Sequence, residues 1–127
     1  MQKHIGRLLM ATALIHNALG VALFWQPLRD MVAAGVFNSV APHYDRAAVF
    51  WFLMFGVLLW LLGYVTHWSL TQHGTVPSGL GWGLLALGVV GCVIMPVSGF
   101  WLVLPQAYGL IRAAPAVPAQ RVQQAGR

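Results

Sequence analysis

The chain has 127 residues, of which 59% are apolar and 7% charged, with a formal charge of +5. A soluble domain carries about 25% charged residues, so this composition excludes a conventional water-facing surface and points to lipid as solvent. The seven Lys and Arg residues are scattered toward the ends of apolar segments rather than gathered on one face, which argues against nucleic acid as partner.

The first apolar segment spans about residues 5–25, enough to cross a hydrocarbon core that needs about 20 residues. Its basic start and apolar centre also suit an insertion signal. Thr12, His16 and Gly20 recur every four residues, with Ala13 beside them. Small residues at that spacing mark a packing face, so His16 is expected to point inward near mid-membrane. Asn17 lies about 100° further round. An unpartnered polar group at that depth costs several kcal/mol, so both side chains need partners.

The next 20 residues are too many for a simple turn. Pro27 suits a first helical turn, and Leu28, Met31, Val32 and Val36 fall near helical spacing. The spacing predicts a short amphipathic helix at the interface, ending near residues 35–38. Arg29, Asp30, Asp45 and Arg46 flank it, and charges so close to lipid are expected to pair as a clamp on the outer side.

A second span is expected over about 46–68, with Gly56 and Gly63 as a close-approach stripe. A third is expected over about 78–95, where Gly81, Gly88 and Gly91 do the same. Residues 79–111 are apolar almost throughout. One helix of that length would measure roughly 50 Å at 1.5 Å per residue, against a core about 30 Å thick, so the chain must fold back. "MPVSGFW" supplies the turn, with Ser98 as a cap, and a short, kinked fourth span follows over about 97–111 around Pro105. Gly99, Gln106 and Gly109 share a face of it, so Gln106 can reach His16 or Asn17. Tyr64, Thr66, Ser98 and Tyr108 are further donors. The sequence thus predicts an all-α bundle of four transmembrane helices with one interfacial helix, over residues 1–112. It also predicts a buried polar cluster of Thr12, His16, Asn17, Gln106 and Tyr108. Residues 113–127 form a polar, Pro/Ala-rich tail of the composition expected for disorder.

Lys3, Arg7, Arg112, Arg121 and Arg127 stand against Arg29 and Arg46, which places both termini in the cytoplasm. Trp25, Trp101 and residues 50–52 then form an outer aromatic belt, and Trp68 and Trp82 an inner one. Glycine stripes invite lateral partners, so a homo-oligomer or an accessory or scaffold subunit of a larger membrane complex is the first expectation. The alternatives are a small transporter or lipophilic-ligand binder that uses His16 as its polar contact, and a membrane enzyme with His16 as acid/base. The last is disfavoured by the presence of only two carboxylates and of no nucleophile triad or nucleotide loop. No metal site is expected from His4, His67 and His73, whose spacing fits none. No cofactor is expected either, since His16 has no second histidine at its depth for haem. Cys92 reads as a small core residue.

The segments "FWQPLRDMVAAGVFNSV", "RAAVFWFLMFGVLLWLLG" and "MPVSGFWLVLP" resemble a family of small bacterial four-helix membrane proteins of unknown function, over nearly the whole chain except the tail. The resemblance implies a four-span bundle in a bacterial inner membrane and no particular activity. The outline is also similar to that of DoxX-type four-helix proteins, in architecture only.

Overall fold

The computed structural model describes residues 4–114, and the expected tail lies outside them except at its first two positions. The described residues form five helices and no strand: α1 (Ile5–Leu23), α2 (Trp25–Ala33), α3 (Tyr44–Gln72), α4 (Ser78–Ile94) and α5 (Phe100–Ala113). Two of them, α1 and α3, are long and apolar enough to cross a membrane.

The helices form two hairpins. In the first, α1 lies against α3 along most of its length, and in the second α4 lies against α5; the hairpins meet through α1 and α5. The backbones of α3 and α4 nowhere come close. Glycine sets the intimacy of the first pair. A β-carbon on Gly6 would fall 2.5 Å from the backbone N of His67, and one on Gly63 would fall 2.8 Å from the backbone N of Met10. In the second pair a β-carbon on Gly81 would fall 2.7 Å from the backbone N of Ile111. Gly56, Gly88 and Gly91 are likewise filled by Asn17, Leu104 and Phe100. The glycine stripes expected to await a partner chain are therefore covered within this one, which removes them as evidence of assembly.

The largest apolar cluster joins Ile5, Leu9 and Ala13 of α1, Leu59 and Leu70 of α3, Leu84 of α4, and Val103, Ala107, Leu110 and Ala113 of α5. Its α1 and α3 members all lie on one side of the level of Ala13 and Leu59, toward the end that carries His4, Gln72 and Ala113. On α1 and α3 the core thus closes one half of the molecule, here termed the inner half, while on α5 it continues outward to Val103, which packs near Gly88 of α4.

At the other end α1 breaks at Phe24 and continues as α2, with Pro27 in its first turn, where a missing N–H costs nothing. None of α2 is fully buried. Gly35 (φ 89°), Val36 (φ 64°) and Asn38 (φ 52°) then turn the chain through left-handed conformations. That region strains a β-branched residue such as Val36. Two bonds hold the turn: Ser39 Oγ donates to the Val36 carbonyl at 2.7 Å, and Arg46 Nη1 donates to the Ser39 carbonyl at 2.8 Å. Asp45 sits in the first turn of α3, where its charge complements the helix dipole.

Between α4 and α5 the turn is apolar and exposed, with Val97 97% accessible. Ser98 Oγ donates to the Met95 carbonyl at 2.6 Å and accepts from the Phe100 N–H at 3.4 Å, so Ser98 steadies the start of α5 while Gly99 occupies the cap position itself.

Candidate functional site

The expected polar cluster divides into separate arrangements. Gln106 hydrogen-bonds neither His16 nor Asn17, its expected partners, but Thr12: Gln106 Nε2 donates to Thr12 Oγ1 at 2.7 Å, a link between α5 and α1. The other amide atom, Gln106 Oε1, is buried with no hydrogen-bond partner.

His16 lies one turn beyond Thr12 on the same stripe of α1. Its Nε2 is 3.0 Å from the carbonyl oxygen of Phe52 on α3. A carbonyl only accepts, so Nε2 carries the hydrogen and donates. The imidazole lies flat on the Phe52 ring, centroids 3.9 Å apart at 10°, and meets the edge of Phe55 at 5.6 Å. Phe24 extends the aromatic group, 5.4 Å from Phe52. His16 is half-buried, and its Nδ1 has no partner among the described residues.

Asn17 faces elsewhere. Its side chain fills the space over Gly56 in the seam between α1 and α3, and its Oδ1 is buried without a partner. Tyr108 is not part of the cluster: it is 53% exposed, and the Arg112 guanidinium lies 5.3 Å from its ring centroid. It stands two residues from Gln106, and thus about 200° round α5, on the opposite face.

The outer ion-pair clamp does not form among the described residues. Asp30 accepts a hydrogen bond from Gln26 Nε2 at 3.0 Å, one helical turn earlier, and Arg46 binds the Ser39 carbonyl. Arg29 and Asp45 are exposed. The reason is local supply: the left-handed turn at 35–38 brings the Ser39 carbonyl within 2.8 Å of Arg46 Nη1, and the donor-only guanidinium takes the acceptor that the backbone places beside it. Among the described residues no group of three or more His, Cys, Asp or Glu is placed to hold a metal. His67 packs its backbone on Gly6, with Nδ1 buried and unpartnered, and His73 meets the edge of Trp68.

The residues that sequence reasoning missed are Phe52, which appeared only within the aromatic run at 50–52, and Phe55. The signal for Phe52 and Phe55 was positional: they stand four and one residues before Gly56, on the side of α3 that meets α1.

Fold and site together define, over the described residues, an all-helical protein with many large apolar side chains facing outward and two side-chain hydrogen bonds between helices, His16 to Phe52 and Gln106 to Thr12. The chain belongs to a family of unknown function, DUF6463, which matches residues 1–116. No curated protein and no solved structure matches it.

Proposed function

We propose that this is an integral membrane protein in which α1, α3, α4 and α5 all cross the bilayer, α2 lies at the outer interface, and the role is non-enzymatic. The observation that carries the reading is where the apolar side chains are. Only 28% of the most apolar stretch of α1 and 22% of that of α3 are buried, whereas a core helix of a soluble protein is mostly buried. Leu14, Ile15, Leu19, Leu58, Val65, Val93 and Ile94 all project outward, a far larger apolar surface than the few hundred Å² that soluble monomers tolerate. At 17 residues α4 is roughly 25 Å long, a few ångströms short of the core. The apolar turn after it makes up the difference within the modest cost of mismatch. With both termini cytoplasmic, by the charge bias above, the membrane is that of a bacterial cell by resemblance.

Assembly into a homo-oligomer or onto a larger complex is the role favoured for it. With the inward glycines occupied, the surface suited to this is the outward ridge of α4, where Gly79 and Gly83 have open space before them and Ala86 and Val90 continue the line. Backbones approach closely at such small-residue spacing. The enzyme reading is weaker, because Asp30 and Asp45 both stand at the outer end, away from the Thr12–Gln106 link.

One panel of single cysteines, with Cys92 replaced by Ala, tests both parts in sealed vesicles. Four crossings require Asn38→Cys and Val97→Cys to react with an impermeant maleimide from one side and Thr75→Cys from the other. Labelling of Val97→Cys together with Thr75→Cys would leave α4 and α5 outside the span count. Gly83→Cys should form an intermolecular disulfide on mild oxidation, while Leu14→Cys should not. An equal yield at both positions contradicts assembly through α4.

A further inference from the structure

We infer that the outer half of the molecule holds a crevice between α1, α3 and α5 that binds a lipophilic molecule with an uncharged hydroxyl head, received by His16. This goes beyond the assembly reading and shares with it only the premise that the chain lies in lipid, which the cysteine panel tests separately.

The first support is how the core ends. The main apolar cluster takes no residue of α1 beyond Ala13 and none of α3 before Leu59. The link from α1 to α5 runs through Ile5 against Gly109 and Thr12 against Gln106. One turn further out the next residue on that face of α5 is Leu102, and it is 51% exposed. At the same level His16, Phe52 and Phe55 are only half-buried although they lie on the inward sides of their helices. The hairpins therefore part above the Thr12–Gln106 bond.

The second support is the mismatch of donors and acceptors there. The bond from Nε2 to the Phe52 carbonyl fixes the tautomer and leaves the Nδ1 lone pair of the neutral ring as an acceptor. Gln106 gives one of its Nε2 hydrogens to Thr12 and leaves Oε1 buried out of a ligand's reach. The crevice thus offers the Nδ1 acceptor of His16, beside aromatic walls. A ligand complementary to it brings an O–H donor on an apolar body. A carboxylate would meet that lone pair, and an ether or ester would leave it unpaired, which is how a buried polar site discriminates.

The test uses the full chain in mild detergent, with 1-hexadecanol and its methyl ether as probes and native mass spectrometry as the binding readout. The alcohol should bind about tenfold more tightly than the ether, the ratio expected for one hydrogen bond, and should shift the ¹⁵N resonance of His16 Nδ1. His16→Phe keeps the stacking and should bring the ratio to about one. Leu102→Trp, which fills the crevice and leaves His16 in place, should abolish binding of both probes. Equal binding of alcohol and ether by the unaltered chain would overturn the inference, as would a preference that survives in His16→Phe, or an Nδ1 resonance that does not move. The ¹⁵N readout on the unaltered chain decides the matter if either variant fails to fold.

Discussion

Gly6→Ala should destabilise the protein by about 2 kcal/mol or more, although alanine is the better helix former by about 1 kcal/mol. The added methyl group would lie 2.5 Å from the His67 N and 2.6 Å from its Cα. Backbone atoms in a helix cannot swing aside as a side chain would, so the contact is relieved only if α1 and α3 move apart. Overpacking of this kind typically costs 1–3 kcal/mol, and here it is imposed on the most extensive helix pair in the molecule. Gly63→Ala should act in the same direction, with 2.8 Å to the Met10 N. Gly79→Ala provides the opposite sign within one chain: its methyl group meets open space there, so in the detergent-dispersed monomer the substitution should be neutral or stabilising through helix propensity alone. Denaturant titration followed by circular dichroism in one detergent would order the three. A Gly6→Ala variant as stable as Gly79→Ala would mean that α1 and α3 do not cross as closely as described.

The second large effect concerns a residue that touches little. Leu58 stands at the middle of α3 and is 62% exposed. On a protein in water, Leu58→Arg at such a position would change stability by no more than about 0.5 kcal/mol. At the centre of a membrane span an arginine costs about 2.5–3.5 kcal/mol on insertion scales, roughly a hundredfold in the inserted fraction. Tyr44→Arg, at a still more exposed site where α3 begins, should be tolerated because its side chain reaches the polar interface. The comparison is the yield of folded protein in the membrane fraction for the two variants. Equal yields would place Leu58 in water.

Much of the helical layout was legible because apolar length alone bounds it. The run over residues 79–111 is too long for one crossing, and Pro96 and Gly99 mark where it must turn; the break between α4 and α5 falls there. Pro27 and the spacing after it gave α2. The helix ends shifted, with α3 reaching from Tyr44 to Gln72, since apolarity marks the buried stretch whereas hydrogen bonding continues past it. Periodicity shows which face a glycine occupies but not whose backbone comes to it, so Gly56 and Gly81 read as open when both are filled from within the chain. The polar partners were the least legible. His16 and Arg46 each bind a backbone carbonyl, of Phe52 and Ser39, and every residue carries a carbonyl, so side-chain identity offers no clue to which one is chosen. Thr12 and Gln106 both stood in the expected cluster, but helical spacing fixes only the face and not the level, so Gln106 was read against His16 or Asn17 when it bonds Thr12, one turn away.

The whole account depends on the outward apolar surface of α1 and α3 lying in lipid. The most direct measurement is extraction of membranes from cells expressing the unaltered chain with sodium carbonate at high pH. The chain should stay in the pellet and enter solution only when detergent is added. Its release into the carbonate supernatant, followed by monodisperse behaviour in buffer without detergent, would contradict the account.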